Sequence, residues 1–333
     1  MKSVDGSIGG GQILRNTLAY AAITGEPVEV QNIRQARPKP GLRAQHLMCC
    51  NAIAEINGGE LNGAAISSDK IAFLPKPSTL EAEDVTYRFK INTAGSITLL
   101  LQAIIPVVLL QKNRHSKILC TGGTDVDFAP PIDYFRFVFS PIISKIGMGE
   151  IHTTVLKRGY YPRGGGIAEV VVSPINDHIS INFTDPGVIK NVTAKVYGNN
   201  CLNVVKLLNK KADVQVEASP GPHKGVLIIA ETLNGCIVSG SDSTIHNPKI
   251  SDEELVNSAW DRMMYNSKYG VDEYMQDQLI LFMALATKSC SMRACNPITD
   301  HTASAIKLAE QMTETRFEIT VIGDDSVIIQ TKK

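Results

Sequence analysis

The sequence predicts an α/β protein: three repeated helix–strand–helix–strand–strand units form a large domain, and a smaller α/β domain is inserted into it. Two observations carry this. A glycine-led or apolar helix, a short strand, a loop and a second helix recur three times, with similar spacing between the two helix starts. Residues 178 to 270 break that pattern. Helices and strands alternating in this way bury their apolar faces by layering helices on sheets.

The first unit reads as helix "GGGQILRNTLAYAAITG" (9–25), strand "PVEVQNI", loop "RQARPKPG" and helix "LRAQHLMCCNAIAEI" (42–56). The second reads as helix "AGSITLLLQAIIPVVLLQ" (94–111), strand "SKILC", loop "TGGTDVDFAPP" and helix "IDYFRFVFSPIISKIG". The third reads as helix "DEYMQDQLILFMALAT" (272–287), strand "SCSMRA", loop "CNPITD" and helix "HTASAIKLAEQM". Alternating strands close each unit: "AAISSDKIAFLP", "AEVVVSP" and "RFEITVIG" with "SVIIQT". The expected domains are 1–177 with 271–333, and 178–270. The insert reads as strand "ISINFT", helix "CLNVVKLLNKK", three further strands and helix "SDEELVNSAWDRMM", which Ser251 and Glu254 open as a capping box.

Composition narrows the function. The 333 residues carry 33 basic and 33 acidic side chains, so any nucleic-acid contact must come from local clustering. The seven cysteines show no metal spacing and no disulfide framework, which points to a reducing compartment, nucleus or cytoplasm. The N-terminus lacks a signal-peptide core, and "LLLQAIIPVVLL" is too short to span a bilayer, so no membrane role is expected.

The loops after the three repeat strands should gather on one side. The first holds Arg34, Arg37, Lys39, Arg43 and then His46, with no acid between Glu29 and Glu55. That makes an anion-binding surface or a solvated basic face. The second holds Asp125 and Asp127 between glycines and Pro130–Pro131; it is a site loop or a plain turn. The third delivers His301 to a helix start, where Thr299 and Asp300 are N-cap candidates and free N–H groups favour anions. His301 is a surface residue, a cap or a nucleophile. Asp277, Gln278 and Gln102 sit in apolar helices and need partners there. The glycine runs at 9–11 and 164–166 permit close backbone approach but match no nucleotide fingerprint.

Several of these segments, in this order, resemble the RNA 3'-terminal phosphate cyclases: "DGSI" with "GGGQILR", "IRQARPKPGLRAQHL", "TAGSITLLLQ", "GGTDVDFAPPIDYF", "RGYYPRGGG", "VDEYMQDQLILFMALA" and "DHTASAI". The resemblance spans nearly the whole chain. It implies an ATP-dependent enzyme that converts an RNA 3'-phosphate to a 2',3'-cyclic phosphate through a histidine–AMP intermediate. His301 would be the nucleophile, with Asp277 orienting its ring. Gln102, Pro131, Tyr274, Met275, Gln276, Asp277 and Gln278 would contact the nucleotide. Arg15, Arg37, Arg43 and Gln45 would hold phosphates. The implied cofactors are ATP and a divalent cation, Mg2+ or Mn2+; the implied partner is RNA ending in a 3'-phosphate. Two departures stand out. Ile8 occupies the place of the glutamate that family members carry before the glycine run, leaving the metal ligand unknown, and the insert is short between about Tyr197 and Lys224. The alternatives are a non-catalytic cyclase-like protein of ribosomal RNA processing, which would lack the histidine, and a purely structural RNA-binding module.

Overall fold

A computed structural model describes residues 1–7, 9–77, 84–110, 115–174, 179–219, 221 and 223–332. The first repeat runs β1 (Lys2–Asp5), α1 (Gly10–Thr24), β2 (Val28–Gln31), α2 (Ala44–Asn57), β3 (Glu60–Asn62) and β4 (Ile71–Leu74). The second runs β5 (Val85–Lys90), α3 (Ile97–Leu110), β6 (Ser116–Gly122), α4 (Ile132–Tyr134), a π-turn (Phe135–Phe139), α5 (Ser140–Lys145), β7 (Gly149–Lys157) and β8 (Gly166–Pro174). The third opens with β9 (Asn182–Phe183) and is then interrupted. The interruption holds β10 (Ile189–Tyr197), α6 (Leu202–Leu208), β11 (Asp213–Glu217), β12 (Gly225–Thr232), β13 (Ile237–Ser243) and α7 (Asp252–Asn266). It resumes with α8 (Glu273–Leu285), β14 (Ser291–Cys295), α9 (Asp300–Met312), β15 (Arg316–Ile322) and β16 (Ser326–Lys332).

The three repeat sheets share one topology: β1-β2-β4-β3, β5-β6-β8-β7 and β9-β14-β16-β15. In each, the first strand pairs parallel with the second, as in Val4 beside Val30, Phe89 beside Cys120 and Phe183 beside Met292. The repeat therefore has one strand more than the sequence pattern suggested. The extra strands are edge strands; β1 buries only Val4 and β9 has two residues, so these two carry almost no periodic signal, whereas β5 alternates and buries Tyr87 and Phe89. The expected boundary at 178 also moves. The strand in "ISINFT" pairs with β14, and Ile179, Ile181 and Phe183 join the main core. The insertion thus lies inside the first crossover of the third repeat.

The inserted sheet, ordered β11-β10-β12-β13, is covered on both faces. Along β12, Val226, Ile228 and Ala230 pack into a core of their own with α6 and α7. Leu227 and Ile229 face the opposite way, into the core shared by the three repeats. Alternation of period two explains the division. The capping box of α7 forms as expected: Glu254 N–H donates to Ser251 Oγ at 3.2 Å, and Ser251 N–H donates to Glu254 Oε2 at 3.0 Å.

Candidate active site

His301 occupies the second position of α9. Of the two cap candidates, Thr299 is the cap: its Oγ1 accepts from Thr302 N–H at 3.1 Å, while Asp300 begins the helix. The imidazole is open to solvent on its outer edge, and its Nδ1 lies 2.6 Å from Gln12 Oε1. Gln12 Nε2 donates to Asp277 Oδ2 at 2.8 Å and to the His301 carbonyl oxygen at 3.3 Å. Those two acceptors fix the amide so that its oxygen faces the imidazole. Nδ1 must therefore carry the proton, which leaves a lone pair on Nε2.

Two sequence expectations change here. Asp277 does not touch His301; it reaches the ring only through Gln12. The sequence pattern assigns Gln12 no role. A glutamine on the buried stripe of an apolar helix was the available signal, the same one that drew attention to Gln102.

Electrostatics favour a neutral ring. Loss of hydration lowers the His301 pKa below 6.5, and Arg15 and Arg37 lower it further against the pull of Asp300. Burial pushes Asp277 up to about 7, although Arg15 opposes this. Arg15 is buried, with 9 % of its surface exposed.

The arginines and the glycine run meet at the start of α1. Gly9, the N-cap, has φ of 76°, a backbone suited to glycine, and no side chain caps this helix. A Cβ at Gly10 would lie 3.3 Å from Arg37 Nη2, and one at Gly11 would lie 3.1 Å from Arg15 Nη1. The glycines thus let two guanidinium groups close on free helix N–H groups, a setting for an oxyanion. Arg43 is exposed at the N-cap of α2. Gln45 Oε1 accepts from Ser96 N–H at 2.9 Å, which joins α2 to the start of α3 and leaves its amide N–H groups for a ligand.

On the other side of Gln12 a cleft of about 370 Å³ is walled by Gln12, Arg15, Gln102, Pro106, Asp277 and Gln278, among others. Pro106 has no N–H, so α3 offers the Gln102 carbonyl no partner at that position. Gln278 Oε1 is buried without a hydrogen-bond partner among the described residues. The cleft thus sets convergent polar groups against an apolar floor of Pro106, Phe139, Leu281 and Phe282.

The remaining residues expected to contact a nucleotide separate. Tyr274 packs edge-on against Tyr134, with ring centroids 5.2 Å apart. Pro131, the N-cap of α4, lines a second cleft of about 360 Å³ together with Asp133, Asp242 and His246. The Met275 and Gln276 side chains are buried away from the cleft. Both point into the interior, and Gln276 Oε1 accepts from Cys295 Sγ at 3.3 Å.

The second loop serves a different purpose. Arg158, from "RGYYPRGGG", is buried. It donates to Asp125 at 3.2 Å, to Asp133 at 2.7 Å and to Glu217 of the inserted sheet at 3.0 Å. His246 Nδ1 lies 2.9 Å from Asp127 Oδ1. The loop is thereby tied to the insert.

Among the described residues no group of three or more His, Cys, Asp or Glu side chains could hold a metal ion. Ile8 lies outside the described residues. No helix among them is long and apolar enough to cross a membrane.

Comparison with known proteins identifies the family. The family model described as RNA 3'-terminal phosphate cyclase matches residues 7–319. A protein of that name from Drosophila melanogaster is 33% identical over 100% of this chain and 96% of its own length. One from Pyrobaculum neutrophilum is 36% identical over 98% of this chain and 96% of its own. One from Pyrococcus abyssi is 35% identical over 96% and 95%. This chain belongs to the RNA 3'-terminal phosphate cyclase family.

Proposed function

We propose that the chain is an RNA 3'-phosphate cyclase that uses ATP and passes through a His301–AMP adduct. The observation that carries this is the Gln12 contact, which presents His301 as a neutral imidazole with its Nε2 lone pair free. In the proposed sequence, Nε2 attacks the α-phosphorus of ATP, a P–N bond forms and pyrophosphate leaves. An oxygen of the RNA 3'-phosphate then displaces the imidazole and takes the AMP. Finally the neighbouring 2'-hydroxyl oxygen attacks that same 3'-phosphate, its proton passes to solvent, AMP departs and the ring closes.

Each group has a defined task. Gln12 Oε1 holds the Nδ1 proton, a bond that strengthens as positive charge develops on the ring. Arg15, Arg37 and the α1 amides sit where phosphoryl oxygens gather charge. The cleft bounded by Gln102, Asp277 and Gln278 takes the nucleoside. Metal placement does not follow from the protein. Among the described residues the carboxylate that reaches His301 through Gln12 is the half-buried Asp277, already engaged with that amide. A divalent cation is accordingly proposed as part of the substrate, bound to the triphosphate. The seven cysteines are all buried and show no disulfide framework in their spacing, which supports a reducing compartment, nucleus or cytoplasm.

The test is a label-transfer experiment. Wild-type protein incubated with α-labelled ATP should retain label covalently and pass it to RNA bearing a 3'-phosphate. His301→Asn should retain none and yield no cyclic end. A labelled adduct on His301→Asn would refute the assignment.

A further inference from the structure

His46 takes no part in the scheme above, yet it lies against the same glycines. It is the third residue of α2, and its ring turns back toward the helix start. Arg43 N–H donates to His46 Nδ1 at 3.4 Å. A backbone N–H can only donate, so Nδ1 accepts and the proton resides on Nε2. That Nε2 has no hydrogen-bond partner among the described residues. A Cβ at Gly11 would lie 2.6 Å from it and 3.1 Å from Arg15 Nη1. One at Gly10 would lie 3.3 Å from Arg37 Nη2. Donors from three separate segments therefore converge over two successive glycines, next to the Gln12 that holds His301. Burial, with Arg34, Arg15 and Arg43 nearby, pushes the His46 pKa down to about 3. The ring is thus a neutral donor beside arginines that supply the charge.

The position of this group sets it apart from the nucleoside cleft. Arg15 borders the Gln102–Asp277 cleft, but His46 and Arg37 are not among its walls. They sit instead over Gly10 and Gly11, outside the cleft assigned to the nucleoside and beside the helix that holds His301. We propose that His46 donates its Nε2–H to a non-bridging oxygen of the RNA 3'-terminal phosphate and so positions that end for attack on the adduct. This rests on the reading of the site as an RNA 3'-phosphate cyclase.

Two substitutions separate donation from capping. His46→Asn keeps an acceptor near the Nδ1 position for Arg43 N–H but loses the outer donor. His46→Gln places an amide donor near the Nε2 position. Each variant would be loaded with AMP, then mixed with an oligonucleotide bearing a 3'-phosphate, and the transfer rate followed against RNA concentration. Both should form the adduct from ATP within about twofold of wild type. His46→Asn should need about tenfold or more RNA for half-maximal transfer, the loss expected for a hydrogen bond to a charged group. His46→Gln should recover most of that loss, and both should melt as wild type does. Wild-type RNA dependence in His46→Asn would overturn the proposal. So would slow adduct formation in both variants, because the contact would then be to ATP. If wild type itself formed no adduct, the parent reading would fail. Binding of the same oligonucleotide to unloaded protein would still decide the role of His46: affinity weakened in His46→Asn and restored in His46→Gln supports it, and equal affinity in all three overturns it.

Discussion

Removing the Gln12 amide tests the site most directly. In Gln12→Ala, His301 Nδ1 loses its acceptor at 2.6 Å and Asp277 loses its donor at 2.8 Å. The proton can then move to Nε2, which blocks the attacking lone pair, and the ring can turn. The bond becomes charge-assisted as the imidazole bonds to phosphorus, so its loss costs about 1.5–3 kcal/mol in the transition state. That corresponds to adduct formation slower by about 10- to 150-fold. Gln12→Glu keeps an acceptor but adds negative charge. It should raise the His301 pKa and move the acid limb of adduct formation to higher pH, because the attacking form is the neutral one. The assay is single-turnover formation of protein–AMP from α-labelled ATP across pH 5 to 9. Wild-type rate and pH profile in both variants would show that Gln12 neither orients the ring nor selects its tautomer.

Three further outcomes follow from the same geometry. Arg37→Gln should raise the His301 pKa toward its ordinary value, read by histidine NMR titration, since Arg37 is one of the charges holding it down; it should also flatten the salt dependence of RNA binding, because one phosphate contact is lost. Gly11→Ala should improve helix propensity yet weaken RNA binding, because the new Cβ would lie 2.6 Å from His46 Nε2; a melting temperature at or above wild type with reduced affinity is the expected pair of results. Arg158→Met should destabilise the fold by about 3–5 kcal/mol, leaving Asp125 and Asp133 buried without their partner. Burial already pushes Asp125 up to about 6, so the loss in thermal melts should be smaller at pH 5, where protonated carboxyls no longer need the arginine, than at pH 8.

The parts of this molecule legible in the sequence are those in which local pattern and tertiary role coincide. The helices of all three repeats bury apolar stripes, and the α7 capping box needs only residues three apart. The leading strand β9 was legible as a strand in "ISINFT" but not as part of the third repeat, because only its register against β14 gives its two residues that place. His301 was legible because a proline, a cap and an apolar stripe frame it. Gln12 was not assigned because its two partners, Asp277 and His301, lie 265 and 289 residues away. Asp277 was assigned to the ring because the sequence names the participants of a network but not the order of its links.

The repeat explains why the site has the parts it has. The loops after β2, β6 and β14 hold equivalent places in three sheets of one topology, yet only two of them meet at the glycine run. The first brings Arg37 and His46 to the start of α1, and the third brings His301 to Gln12 of the same helix. The second is turned toward the insertion, held by Arg158 through Asp125 and Asp133 and by His246 through Asp127. The insertion enters the first crossover of the third repeat, between β9 and α8, and α8 carries Tyr274, Asp277 and Gln278. The same chain segment therefore sets the position of the inserted sheet and of the helix lining the cleft. Displacing the second loop by breaking the Arg158 network should thus disturb Pro131 and the insert together, while leaving the contact between Gln12 and His301 in place. In Arg158→Met, followed through the acidic range where the fold is least affected, the His301 titration should match wild type. A shifted His301 pKa there would mean that the two ends of the site are coupled through the core rather than built independently on one repeat.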